Sequence, residues 1–260
     1  MAWYMRIGQM SLFGLLMDVY LLKFGFDQAS VQNRSGFMYQ IITMATVLGS
    51  MNAMANFPEL RDMYLRERKE KLYNAFQFFA AYTMHSLPSS IVASFLFSLL
   101  TYFPLGMQQD SGTYASYLGV VLILHLFGEC LGVCLLALTR DVTLANSLAT
   151  MISAMFSLVG SGFIRSLETM PLPLKMLGWA TPNKYATEIL VAGQIGGLEL
   201  NCDNPKFPCR YLSGDQFLEM FYPNAVKNFA YNWIGVSGFL VVISAIAVFL
   251  VAFDRTRVTS

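Results

Sequence analysis

Charge is what this chain has least of. Charged residues make up 13% of its 260 positions and hydrophobic ones 55%, where a soluble domain carries about 25% charged residues. That imbalance excludes an ordinary water-soluble fold and points to lipid as solvent. The net charge of +1 gives no electrostatic footprint for nucleic acid. Two histidines, His85 and His125, are too few for a histidine-built metal centre, and four cysteines do not make a disulfide scaffold. No Gly-x-x-x-x-Gly-Lys-Ser/Thr string occurs, nor any Gly-Lys dipeptide, so a loop that wraps phosphates cannot be built from these residues. The first residues run straight into an apolar stretch without a charged region and cleavage site, so no signal peptide is expected. No internal repeat of the secondary-transporter kind is evident.

Long apolar runs, by contrast, are abundant. Six stretches are expected to cross a bilayer, roughly Ile7 to Phe24, Phe37 to Phe57, Phe76 to Pro104, Tyr114 to Leu138, Val142 to Ile164 and Trp233 to Phe253. Each is long enough for a hydrocarbon core of about 30 Å at about 1.5 Å per residue. Asp18 and Lys23 interrupt the first, Pro58 is expected to close the second, and a kink is expected near Pro88 in the third. The fold class is therefore all-α, polytopic and membrane-embedded.

The basic residues set the orientation. Five of the 17 lie in one segment, Glu59 to Lys71, between the second and third stretches. A run of that kind belongs on the cytoplasmic side. Alternation then places Arg6, the Thr139-Arg140-Asp141 turn and the Asp254 to Arg257 tail inside with it, and both termini in the cytoplasm. The sequon Asn33-Arg34-Ser35 falls outside, as a candidate glycosylation site. Cys202 and Cys209 also fall outside, where a disulfide can persist. The long outer segment from Arg165 to Asn232 is broken by prolines. It is expected to hold one short helix dipping into the outer leaflet, with Trp179 and Tyr185 at the interface, and then a polar surface loop.

Several residues carry chemistry. Glu59 to Lys71 reads as a separate charged helix, with Glu67 and Lys71 at pairing distance. It is either a solvated, orientation-setting helix or a contact for another protein. His125 and Glu129 share one helix face inside the fourth stretch, where ionisable groups are functional candidates by default. An interhelical hydrogen bond is the plainer role, and proton or metal work the sharper one. Gly128 and Gly132 favour close helix packing, which makes Cys130 and Cys134 small packing residues.

The order of local strings resembles the membrane domain of the G subfamily of ABC exporters, the ABC-2 type. The strings are Asn33-Arg34-Ser-Gly36; Glu59-Leu-Arg61 with Tyr64-Leu-Arg66-Glu67 and Leu72-Tyr73; Leu87-Pro88; Ser161-Gly162-Phe-Ile164; Pro182-Asn-Lys-Tyr185 with Glu188; and Cys202…Cys209 followed by Ser213-Gly214-Asp-Gln-Phe-Leu218. Their colinearity covers nearly the whole chain, so residues 1–260 are expected to form one such domain. The resemblance implies a permease working as a homo- or heterodimer and exporting lipids, sterols or other hydrophobic molecules. ATP and magnesium would be held on a nucleotide-binding domain in cis or in trans, with no cofactor on this chain. Family members carry that domain and these residues do not, so the chain is expected to be a fragment of a longer transporter or a subunit with its ATPase elsewhere.

The resemblance also implies roles for particular residues. Arg61, Arg66, Glu67 and Arg68 would couple to the ATPase, with Arg140 and Asp141 as a second contact. Ala45 and Leu48 on the second stretch, with Leu148, Met155 and Leu158 on the fifth, would line the pathway. Phe163 and Ile164 would plug its outer exit. Cys202 and Cys209 would be bridged within their loop, with a bridge to a second subunit or free thiols as the alternatives. Two other readings stand beside this one. They are an ATP-independent transporter or channel using His125 and Glu129, and a truncated assembly partner without transport. A membrane-embedded enzyme ranks last, because no nucleophile–base pair is visible.

Overall fold

The computed structural model describes residues 2–21, 23–163, 165–201 and 210–253, which are helical almost throughout. In order the helices are α1 (Ala2–Leu21), α2 (Gln28–Lys69), α3 (Ala75–Tyr102), α4 (Ser111–Thr139), α5 (Val142–Gly160), α6 (Leu172–Trp179), α7 (Pro182–Ile195), α8 (Gly214–Phe221) and α9 (Phe229–Phe253), with a 3-10 turn at Leu167–Thr169. Among the described residues there is no strand, only isolated bridges between Asp27 and Asn201 and between Glu199 and Ser213. Four helices, α3, α4, α5 and α9, are long and apolar enough to cross a membrane. α1 and α2 fall outside that group; both carry polar and charged residues along their length.

α4 is the axle of the bundle. Every residue from Phe127 to Leu136 is buried, and α2, α3, α5, α7 and α9 all pack on it. Its closest neighbour is α2, for a reason that lies in the glycines. A Cβ at Gly128 would collide with the Thr46 carbonyl, and one at Gly49 with the His125 carbonyl. A Cβ at Gly132 would stand 2.7 Å from that of Ala53. The two backbones thus approach where neither helix carries a side chain between them, as small-residue interfaces in membranes do.

Three expectations are corrected. Pro58 does not end a helix: α2 runs unbroken through it for 42 residues. Proline removes one ladder bond here, but the flanking turn is held by the Asn56 amide donating to Asn52 O at 2.9 Å and by Phe57 edge-on to Tyr82 at 5.6 Å. The charged segment is therefore the end of α2, not a separate helix. Lys71 lies beyond that end in the left-handed region (φ 57°), so the helical Glu67–Lys71 spacing does not exist. The outer segment holds two helices in the region where one was expected, and α7 is mostly buried. Tyr185 accordingly sits inside, donating to Trp179 O at 3.1 Å, while Trp179 on α6 is exposed. α3 runs through Pro88 without ending.

Helix starts follow local chemistry. Asp27, Asp110, Asp141 and Ser213 accept backbone N–H groups at the starts of α2, α4, α5 and α8. Asp110 is held below the usual carboxylate range because the Thr113 N–H and hydroxyl donate to it.

Candidate functional site

A buried polar junction ties α1, α3 and α4 together. Arg6 Nη2 donates to Glu129 Oε1 at 2.9 Å, with the side chains only 5% and 4% exposed. The same oxygen accepts from Tyr82 Oη at 2.9 Å, and Oε2 accepts from Ser86 Oγ at 3.3 Å. Arg6 Nη1 donates to Ser86 O at 3.1 Å and Ser90 Oγ at 2.7 Å. Each charge is thus met by its opposite and by further hydrogen bonds, the condition under which a buried pair is tolerated. One turn earlier on α4, Asn52 Nδ2 of α2 lies 3.3 Å from His125 Nε2. With the amide donating, the imidazole is neutral with its proton on Nδ1. Among the described residues no group of three His, Cys, Asp or Glu side chains is placed to hold a metal. Cys130 and Cys134 are buried free thiols, near Ser244 Oγ at 3.4 Å and Ile243 O at 3.8 Å.

At the basic end of the bundle the structure brings together residues from separate stretches. Arg61 Nη1 donates to Leu136 O at 3.3 Å, in the last turn of α4, and Nη2 pairs with Asp62 at 3.4 Å. Arg140 then closes α4 in the left-handed region (φ 59°), and Asp141 opens α5 by accepting from Leu144 N at 2.7 Å. Arg61 and the Arg140–Asp141 turn thus share one corner. Glu67 accepts the hydroxyl of Tyr73. Partial burial and the Glu67 carboxylate push that phenol up to about 12. Tyr64 stacks on Phe78 at 4.5 Å, and the Arg68 guanidinium lies 5.9 Å over Tyr64. Arg66 is exposed beside them.

The third group flanks α5. Its fully buried residues are all small, Ala145, Ala149, Ser153, Ser157 and Gly160, and Leu148, Ile152 and Phe156 pack half-buried on the core beside them. Ser157 Oγ accepts from Thr43 of α2 at 2.7 Å and from Asn183 of α7 at 2.9 Å. The opposite face is large and apolar, with Met151, Met155 and Leu158 exposed by 62%, 52% and 47%. Leu48 and Leu148 are half-buried, and Ala45 is buried against the core. Phe163 stacks on Tyr39 at 5.6 Å and lines a cavity of about 540 Å³ with Met17, Tyr20, Asn33 and Phe37. Asn33 is exposed on the second turn of α2, and the Ser35 hydroxyl is turned back to Val31 O at 2.9 Å. Ile164, Cys202, Cys209 and the Asp254 to Arg257 tail lie outside the described residues.

The sequence did not point to Arg6, Tyr82, Ser86 or Asn52 as partners. The available signal was the run of Ser and Tyr hydroxyls on one side of α3, an excess of donors in an apolar helix.

The profile of the ABC-2 type transporter family matches residues 1–195. The chain belongs to that family. Among its relatives are the ATP-binding cassette sub-family G member 5 proteins, 36% identical over 91% of this chain in Rattus norvegicus and 32% identical over 94% in Homo sapiens. Protein white of Ceratitis capitata is 23% identical over 97% of the chain. The chain spans well under half of each, 37%, 39% and 37% of their lengths. In this ABC-2 type membrane domain, Asn33 to Gly36 and Glu59 to Glu67 fall on α2, Leu87-Pro88 on α3 and Pro182 to Glu188 on α7, while Leu72-Tyr73 and Ser161 to Phe163 lie just beyond the ends of α2 and α5.

Proposed function

We propose that this chain is the membrane half of an ATP-driven exporter that moves lipids, sterols or other hydrophobic small molecules out of the cytoplasmic leaflet. The observation that carries the reading is the G-family relationship over nearly the whole chain, joined to the exposed apolar face of α5. In this reading α1 and α2 span the membrane with α3, α4, α5 and α9, and both termini face the cytoplasm. A second half, identical or related, covers the Met151–Met155–Leu158 face. The pathway runs between the two copies of α2 and α5, past Leu48, Leu148, Met155 and Leu158, to Phe163 and Ile164. The Cys202–Cys209 bridge and a glycan on Asn33 belong to its outer side.

ATP and magnesium act on a nucleotide-binding domain in cis or in trans, which presses on the corner of Arg61, Arg140 and Asp141 and on Arg66, Glu67 and Arg68 at the end of α2. Because α2 is continuous, a push at Lys69 reaches Gln28, about 63 Å away at about 1.5 Å per residue. The flexible Met and Leu walls suit a hydrophobic cargo.

The test is reconstitution of the whole transporter in liposomes with a fluorescent sterol or phospholipid and ATP. ATP-dependent loss of the lipid from the cytoplasmic leaflet, abolished by Arg61→Ala together with Arg66→Ala at unchanged expression, is the expected result. Movement that ignores ATP overturns the reading in favour of an ATP-independent carrier. No movement, and no stimulation of any ATPase, leaves an assembly partner.

A further inference from the structure

Among the described residues two arginines are buried, Arg6 and Arg34. The structure treats them differently. Arg6 is met by the Glu129 carboxylate and by Ser86 O and Ser90 Oγ. Arg34, on the second turn of α2, is only 1% exposed and is met by neutral oxygens alone. Its Nε donates to Ser30 Oγ at 3.4 Å and its Nη2 to Gly106 O at 3.3 Å. Both bonds are longer than the usual limit of about 3.2 Å. Nη1 is buried and has no acceptor among the described residues. The Phe24 ring covers the guanidinium at 5.1 Å.

A guanidinium cannot shed its charge by losing a proton. Buried without a counter-charge, it is strongly destabilising. Two long hydrogen bonds and a ring face soften that cost without cancelling the charge. The acids on the surrounding elements do not supply the counter-charge. No ion pair joins Arg34 to Asp18, Asp27 or Asp110. Asp27 accepts Ser30 N at 3.1 Å as the cap of α2, and Asp110 accepts Thr113 N at 3.0 Å as the cap of α4.

Size and charge select the occupant. Val31, Phe37, Met38 and Leu105, from the start of α2 and the linker between α3 and α4, are buried with Arg34. A lipid headgroup would have to part these elements. A divalent anion would find no second buried cation there. A small monovalent ion matches the single charge and the buried N–H groups. Exposed Lys23 lies across Gly106, where an added Cβ would stand 3.3 Å from its Cγ and Cε, so a second cation stands at the rim.

We infer that Arg34 binds a small monovalent anion of the halide type, between the start of α2 and the linker from α3 to α4. The site is separate from the face of α2 and α5 assigned to cargo, and it does not depend on that assignment.

The experiment uses the chain purified in lipid nanodiscs, with gluconate exchanged for chloride, bromide or sulfate at constant ionic strength. Chloride and bromide should each raise the melting temperature by about 3 °C or more, saturating with concentration. Sulfate should not. Arg34→Gln should abolish the response, and Arg34→Lys, which loses the planar fork, should weaken it. Lys23→Gln should shift its midpoint only a few-fold. A second measurement needs no variant: crystals of the parent chain grown in bromide should show an anomalous peak within hydrogen-bonding reach of Arg34 Nη1. The inference is overturned if gluconate and sulfate stabilise as chloride does, if the halide response survives in Arg34→Gln, or if Lys23→Gln abolishes it. It is also overturned if no bromide lies beside Arg34, the result expected of a water molecule alone at Nη1.

Discussion

Arg6 and Glu129, 123 positions apart, form one buried ion pair that joins α1 to α4, and Tyr82 and Ser86 of α3 complete it. Removing one partner strands the other charge in a low-dielectric interior. Arg6→Ala or Glu129→Ala is expected to destabilise the chain by about 3–5 kcal/mol. The double change Arg6→Met with Glu129→Leu should recover more than half of that loss. Unfolding in mixed micelles, run as a double-mutant cycle, measures the coupling.

The α2–α4 contact predicts an asymmetry among glycines. Gly128→Ala pushes a methyl into the Thr46 carbonyl, whereas Gly238 on α9 has nothing within 4 Å of an added Cβ. Gly128→Ala should cost about 1–3 kcal/mol or more, as overpacking does. Gly238→Ala should cost nothing. Melting temperatures of the two variants beside the parent chain decide this.

Tyr73 gives a pH signature. Its phenol is raised to about 12 by partial burial and by Glu67, above an unfolded value of about 10. The folded state therefore holds this proton more tightly. The associated stability is fully present below pH about 10 and is lost as pH rises toward 12. Absorbance titration at the tyrosinate band, parent minus Tyr73→Phe, should show no Tyr73 ionisation at pH 10. Glu67→Gln should move the transition downward.

Asp141 serves as a helix cap and, in the proposed function, as a coupling contact. The two roles separate by substitution. Asp141→Ala should lose about 1 kcal/mol of stability, and Asp141→Asn, which keeps a capping oxygen, much less. If the negative charge itself meets the ATPase, Asp141→Asn lowers transport while leaving the melt unchanged.

Much of the fold was legible because lipid imposes long apolar segments. α3, α4, α5 and α9 fall within a few residues of the stretches marked out for them. The Gly128–Gly132 spacing also foretold a close approach, because small residues leave room whatever their partner. Pro58 misled because proline chemistry is local. What keeps α2 continuous is Phe57 packed on Tyr82 and Phe78, a contact between residues that sequence does not bring together. Arg6 looked like an orientation marker at the start of a span. Its burial depends on Glu129, which was itself recognised only as half of a pair with His125. Tyr185 looked interfacial because aromatic residues favour that depth, but α7 is enclosed by α2, α4, α5 and α9. The corner at Arg61 was legible residue by residue, not as a corner.

The fully buried residues of α5 are alanine, serine and glycine alone, and beside them Leu148, Ile152 and Phe156 pack half-buried on the core. The small row lets the helix seat close to its neighbours. The three larger side chains are its knobs, with Phe156 set 6.4 Å from Phe127 of α4. The Thr43–Ser157–Asn183 hydrogen bonds add a polar catch at one height. α5 is thus keyed into the bundle, and any turn of it has to move those three side chains before its large outer ones can travel as one surface.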